Sequence, residues 1–302
     1  MSSPVVQSAL QKLKEGDFRT LSRCISIVEN DLEGSLAILS SLSTNNPTPV
    51  IGFTGPPGAG KSTLLDGLIS HLSKQGKKIG VIAVDPTSPF NMGSLLGDRV
   101  RMSRHFNEGN VFIRSLATRG SLGGLSSKII EVCDVMKAAA FDYILVETVG
   151  VGQSEVEIAG LADCTILVLV PEAGDEIQQI KSGIMEIGDL FVINKADRPG
   201  ADTFRKNLFE NLRHPGEKIP YERVLKTVAS QEEGIAALWE NVLKALPLIQ
   251  QTKKEFLLLE KAYRLIRDHR MKDIQRLQLD QQLKEKQKEK NFNFYQWVAT
   301  YY

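Results

Sequence analysis

Nine consecutive residues, Gly55-Pro56-Pro57-Gly58-Ala59-Gly60-Lys61-Ser62-Thr63, fit G-x-x-x-x-G-K-[ST] and carry the chemistry of gripping a triphosphate. The glycines let the backbone curl until successive N–H groups point at phosphate oxygens. A helix beginning here adds positive partial charge at its N-terminus. Lys61 would reach the β- and γ-phosphates, and the Ser62 hydroxyl would ligate Mg²⁺. An apolar run at 50–53 precedes the motif and a helix-like run at 62–72 follows it. That strand–loop–helix frame separates a phosphate loop from a Gly-rich turn before an ordinary helix.

A second motif, Asn194-Lys195-Ala196-Asp197, follows the apolar run 190–193 and fits N-K-x-D, the guanine-reading signature. The Asp197 carboxylate can accept from both the ring N–H and the exocyclic amine of guanine. Adenine offers no such pair of donors on that edge, so the wrong base leaves a carboxylate unpaired, which is costly. The Lys195 stem can lie over the purine face, and Asn194 can tie this loop to the phosphate loop. Occurring together, the two motifs favour GTP over ATP. Farther on, Thr227-Val228-Ala229-Ser230 closes an apolar run. Backbone N–H groups at Ala229 and Ser230 could meet the guanine carbonyl, although an ordinary strand-end turn explains these residues nearly as well.

Hydrolysis needs neutralised phosphates and a placed water. Glu147 ends the apolar run 143–146 and opens Glu147-Thr148-Val149-Gly150-Val151-Gly152-Gln153-Ser154. A carboxylate at a buried strand end is costly unless it meets a cation, so Glu147 reads as a Mg²⁺ holder, directly or through water. Gly150 can bring its N–H to the γ-phosphate, and the run after it reads as a switch loop. Asp85, before Pro86, reads either as part of the metal shell, which the convergence of strand ends favours, or as a turn former. Asp98 is a third acid, with a surface position on a helix as its bland alternative.

These groups need a frame. Seven runs at 50–54, 79–84, 111–114, 143–146, 165–170, 190–193 and 224–227 are almost continuously apolar and alternate with helical patterns. This predicts an α/β fold with a mostly parallel sheet covered by helices on both faces, binding its ligand at the carboxyl ends of the strands. Residues 1–46 read as a helical N-terminal extension, followed by a linker at 43–49, with a P-loop domain over 47–248. Residues 249–302 read as a helical arm in which Phe256, Leu259, Tyr263, Ile266, Ile274 and Leu277 form a broken stripe. The stripe either packs back on its own domain or pairs with a second subunit. The second option is preferred because the arm carries more apolar surface than a tail needs. The run 284–290 reads as a solvated charged face.

The chain has 302 residues and a formal net charge of +1, which asks for neither nucleic acid nor a membrane surface. Cys24, Cys133 and Cys164 are odd in number and far apart, and so read as reduced buried thiols rather than a metal or redox site. The four histidines lack zinc-site spacing, and no Ser–His–Asp or Cys–His set is readable. No segment reaches the roughly 20 apolar residues of a membrane helix, and no signal or transit peptide is readable. Cytoplasm is the expectation.

The joint set of motifs resembles the MeaB/ArgK/MMAA GTPases. It comprises the phosphate loop, Val84-Asp85-Pro86-Thr87-Ser88, Gly93-Ser94-Leu95-Leu96-Gly97-Asp98-Arg99, Arg119-Gly120-Ser121-Leu122-Gly123-Gly124, the stretch from Glu147 to Glu155, and Gly174-Asp175-Glu176-Ile177-Gln178. The resemblance covers most of the chain. It implies a SIMIBI-class GTPase, usually homodimeric, that serves adenosylcobalamin-dependent acyl-CoA mutases, chiefly methylmalonyl-CoA mutase. In such proteins GTP binding and hydrolysis gate cofactor loading and protect the mutase. By position, 85–99 would be switch I, 147–155 switch II, and 174–181 a third switch facing the mutase. Lys181 falls where the family carries a lysine that reaches the nucleotide, like an arginine finger supplied in cis. On its residues alone it reads as a surface position of a helix over 176–186. Val228-Ala229 replaces the Ser-Ala found in many members, and Ser182 stands where a second basic residue is common. A human-type mitochondrial leader is not readable, as expected of a bacterial cytoplasmic protein. The alternatives from other classes are a nickel-maturation GTPase of the same fold, which would usually carry clustered Cys or His, and a non-catalytic scaffold locked by nucleotide.

Overall fold

The computed structural model describes residues 4–43, 46–85, 102–117, 128–148, 158–174, 184–212, 221–289 and 291–301. Three helices come first, α1(Pro4–Lys14), α2(Phe18–Glu29) and α3(Ser35–Ser40). Then follow β1(Val50–Thr54), α4(Lys61–Lys74), β2(Ile79–Asp85), β3(Val111–Ala117), α5(Ile129–Lys137), β4(Tyr143–Glu147) and β5(Cys164–Leu169). The chain continues through α6(Ile184–Ile187), β6(Leu190–Ile193), α7(Ala201–Leu212), β7(Val224–Lys226), α8(Ile235–Arg270), α9(Arg276–Lys286) and α10(Phe294–Val298).

The seven strands form one sheet in the order β3-β2-β4-β1-β5-β6-β7, and every pairing is parallel. The α/β reading of the sequence is therefore the fold. The strands are largely apolar because both faces of the sheet are covered. Their alternation is still visible in what each residue touches. Ile51 and Phe53 of β1, Leu145 of β4 and Ile166 of β5 enter the cluster built with α4 and the first part of α8. Val50, Ile144, Val146 and Ile82 point the other way, into a cluster with α2 and α5. On that second face, Leu167, Phe191 and Ile193 meet α7 instead.

Five strands differ in extent from the apolar runs, β3 most of all, which continues to Ala117. In β2 and β4 the added residue is an acid. Asp85 and Glu147 are polar, yet each still pairs across the sheet, Asp85 with Ala117 and Glu147 with Phe53. Helix α2 begins at an N-cap, where Asp17 accepts from the Arg19 N–H at 3.0 Å and from the Thr20 hydroxyl at 2.6 Å. Its buried face, Leu21, Ile25 and Val28, is the helical stripe expected from the sequence.

The chain divides into two compact units, Met1–Leu257 and Leu258–Tyr302. In the second unit, Trp297 is ringed by Phe292, Phe294 and Tyr301, with centroids 6.4, 6.1 and 5.5 Å away. Lys284 pairs with Asp280 and Lys286 with Glu289, all on exposed surface. Tyr263, Ile266 and Leu277 of the stripe are exposed in the single chain. No helix among the described residues is long and apolar enough to cross a membrane.

Candidate nucleotide site

In a parallel sheet every strand delivers its carboxyl end to the same edge, and the crevice opens where neighbouring connections part. Here that happens at β1, which has β4 on one side and β5 on the other. The chain leaves β1 through 55–60 and starts α4 at Lys61. Gly55 takes φ +137° and Gly60 takes φ +86°. A Cβ on Gly55 would be driven into the Val168 carbonyl of β5, and one on Gly60 into the side-chain amide of Asn194. Both positions therefore need glycine for space as well as for backbone angle. Gly60 is also the N-cap of α4 and brings no side chain to cap it, which leaves the first-turn amides for an anion.

Lys61 is buried, and its Nζ donates to the carbonyls of Gly55 at 2.8 Å and Pro56 at 3.1 Å. The ammonium thus lies inside the curl of the loop. Ala59 is buried, Pro57 and Gly58 are exposed at the rim, and Thr63 is half-buried on the first turn of α4. The Ser62 hydroxyl donates to Glu147 Oε1 at 2.7 Å, and both residues are buried. Register explains this meeting across 85 positions. Phe53 of β1 lies beside Glu147 of β4, so the acid ends its strand level with the start of the loop. Asp85 ends β2 two positions beyond Ala83, which is the residue in register with Glu147. Asp98, Gly150 and Lys181 lie outside the described residues.

The N-K-x-D motif is held to the same loop. Asn194 is buried, and its Nδ2 donates to the Ala59 carbonyl at 2.9 Å. Its Oδ1 accepts from the Thr227 hydroxyl and from the Ala229 N–H, each at 3.1 Å. Lys195, at φ +56°, sends Nζ to the Gly58 carbonyl at 2.8 Å. Asp197 and Ser230 are exposed at the same edge. The structure therefore brings Asn194 and Lys195 against Gly58 and Ala59, and Ala229 against Asn194.

Three contacts had no counterpart in the motif reading. The Thr148 hydroxyl donates to Thr54 Oγ1 at 3.1 Å, pinning the exit of β4 to the exit of β1 in a buried position. A hydroxyl residue directly after a strand-end acid was the available signal. Arg198 donates to Glu172 at 2.5 Å, which links the N-K-x-D loop to the turn after β5. The hydrogen bond from Arg198 holds the Glu172 carboxyl below its ordinary value, against a small opposing effect of burial. Asp66, Arg104, His105 and Glu108 form a polar cluster beside α4. Among the described residues no group of three or more His, Cys, Asp or Glu is arranged to hold a metal ion, and the three cysteines are buried free thiols.

A family model described as "Methylmalonyl Co-A mutase-associated GTPase MeaB" matches residues 21–288. A Pyrococcus abyssi protein with GTPase in its name is 45% identical over 93% of this chain and 83% of its own length. GTPase ArgK of Escherichia coli is 36% identical over 80% of this chain and 76% of its own length. Among solved structures, the crystal structure of an LAO/AO transport system kinase superposes with a TM-score of 0.67 at 27% identity, over 95% of this chain and 91% of that one.

Proposed function

The chain belongs to the MeaB family of methylmalonyl-CoA mutase-associated GTPases, and on that premise we propose that it is a GTP-driven chaperone gating adenosylcobalamin loading of an acyl-CoA mutase and protecting it. Methylmalonyl-CoA mutase is the expected client. The observation that carries the nucleotide half of this reading is the Asn194–Ala59 tie, which holds a guanine-reading loop directly on a phosphate loop. The client half is supported by the family description, which names association with the mutase.

In this reading the amides of 55–63 and the Lys61 ammonium take the phosphates, and Asp197 reads the guanine edge with Lys195 over its face. Backbone N–H groups at Ala229 and Ser230 take the guanine carbonyl, and that of Gly150 takes the γ-phosphate. Ser62 and Glu147 present a hydroxyl and a carboxylate 2.7 Å apart beside the loop, a donor pair of the hard-oxygen kind that suits Mg²⁺. They would hold the ion, with Asp85 and Asp98 completing the shell. When bound, Mg²⁺ neutralises charge on the β- and γ-phosphate oxygens. Lys181 would add positive charge at the phosphates when the client is engaged. The chaperone works in the cytoplasm as a homodimer through its 249–302 arm, with 1–46 as an extension of the 47–248 GTPase domain.

The test is single-turnover GTP hydrolysis with and without a purified cobalamin-dependent mutase. Intrinsic turnover is expected in the range of roughly 10⁻⁴ to 10⁻² per second, with partner acceleration of about 10³ to 10⁵-fold. Lys61→Ala should abolish both. Wild type no faster than Lys61→Ala would leave only a nucleotide-locked scaffold. A tight stoichiometric Ni²⁺ site with no mutase response would move the reading to metal insertion.

A further inference from the structure

The Asn194 contacts fix where the N-K-x-D loop begins, but Asp197 lies three positions further on and is exposed. Its carboxylate is therefore placed by the backbone of the turn rather than by packing around it. In the sheet β6 lies between β5 and β7, so the connection leaving β6 runs between the connections leaving those two strands. Both neighbours reach it. Glu172, in the turn after β5, accepts from Arg198 Nη1 at 2.5 Å. Lys226, the last residue of β7, donates from Nζ to Asp202 Oδ1 at 2.6 Å. Arg198 directly follows Asp197, and Asp202 lies in the first turn of α7. The two pairs thus grip the chain on either side of Pro199-Gly200.

The main chain contributes to the same hold. The Ala196 N–H donates to the Thr227 carbonyl at 3.0 Å, and the Arg198 N–H to the Lys195 carbonyl at 3.0 Å. Lys195 takes φ +56°, a left-handed bend that a residue with a side chain keeps only where its surroundings over-determine it. The hydrogen bond from Arg198 is the largest effect holding the Glu172 carboxyl below its ordinary value, and that from Lys226 does the same for Asp202. Both acids are charged at neutral pH, so both contacts are ion pairs. All four side chains are exposed. Exposed pairs add little to the stability of a fold. They matter more to a carboxylate that must accept from two donors at once, because hydrogen bonds weaken steeply when their angles are lost.

We propose that Glu172 and Lys226, acting through Arg198 and Asp202, are positioning residues for guanine specificity: they brace the turn from both sides so that Asp197 meets the ring N–H and the exocyclic amine together. A displaced carboxylate can still follow one donor but not two. Loosening the brace therefore costs discrimination by the exocyclic amine more than it costs nucleotide binding as such. The inference rests on the guanine-nucleotide reading of the site.

The experiment titrates the full chain, with Mg²⁺, against the N-methylanthraniloyl derivatives of GDP and inosine diphosphate. Inosine keeps the ring N–H and lacks the exocyclic amine. The two ligands carry the same phosphates, so the ratio of their dissociation constants isolates the base. Wild type should prefer GDP, and that preference should fall about two- to fivefold in Glu172→Gln. Arg198→Gln should do the same, and the double variant should lose no more than either single one, because all three remove one pair. Lys226→Gln tests the other side of the turn and serves if Glu172→Gln fails to fold. A merely structural loss would weaken both nucleotides together. An unchanged ratio in Glu172→Gln or in Lys226→Gln, equal weakening of both ligands, or additive losses in the double variant overturns the proposal. Wild type that binds neither ligand, or both equally, would instead sink the guanine reading itself.

Discussion

The Asn194 side-chain amide donates to the main-chain carbonyl of Ala59 across 2.9 Å, which ties the N-K-x-D loop to the glycine-rich loop. The same side chain accepts from Thr227 and Ala229. Asn194→Ala leaves three buried groups without their partner, and each such group costs about 1–3 kcal/mol. The expected outcome is a clear fall in thermal midpoint together with weaker GDP binding, read by melting curves with and without nucleotide. A variant that melts like wild type would show that water replaces the amide at no cost.

Gly58 and Gly60 separate backbone strain from steric conflict. Both have positive φ, but a Cβ on Gly58 meets nothing within 4 Å, whereas one on Gly60 strikes the Asn194 amide. Gly58→Ala should cost only the left-handed penalty of about 1–2 kcal/mol. Gly60→Ala should cost more and should also break the tie to Asn194. Denaturant midpoints for the two variants, with fluorescent nucleotide titrations, check the ordering.

Asp197→Asn should lower GTP affinity by about tenfold or more and raise affinity for xanthosine triphosphate, because the amide matches the altered edge of xanthine. Competition binding measures both. Unaltered GTP affinity would remove Asp197 from base recognition.

Glu147→Gln keeps an oxygen that can accept from Ser62, so the fold should survive. It removes the charge proposed to help hold Mg²⁺. Wild type should lose nucleotide affinity on addition of EDTA, while the variant should start weaker and change little. Calorimetry in the two buffers decides between this outcome and a variant that retains its full Mg²⁺ response.

The acid limb of stability follows from carboxylates held below their ordinary values. Asp17 is lowered first by the hydrogen bond from Thr20 and then by the Arg19 N–H. Glu172 is lowered by the hydrogen bond from Arg198. For a lowered group, the stabilisation is full above the ordinary value, 3.8 for Asp17 and 4.5 for Glu172, and is lost as pH falls through the lower folded-state value. The melting temperature should therefore hold between neutral pH and about pH 5 and drop below it. The gap between wild type and Asp17→Asn should be present at neutral pH and close in acid.

The sheet could be read from the chain because its strands are buried on both faces and appear as short apolar runs. Asp85 and Glu147 were read as strand ends, and the hydrogen-bonding ladder carries on to include them. The glycine-rich loop and the N-K-x-D loop stood out in the chain because glycine, lysine, asparagine and aspartate recur there at the fixed spacing of known motifs. The Thr54–Thr148 contact and the His105–Asp66 contact did not. Each joins residues far apart in the chain, and the sheet order that brings them together is a property of the whole fold. A buried histidine between two acids looks, in sequence, like an ordinary polar surface stretch.

The alternating loyalties of β1, with Val50 facing one cluster and Ile51 and Phe53 the other, restrict how the gene can change. Inserting or deleting one codon between positions 50 and 54 would exchange the inward and outward contents of the strand and launch the glycine loop from the wrong side. Length variation among descendants of this sequence should therefore fall before position 50 or after the loop, and strand-internal changes should be swaps of equal length.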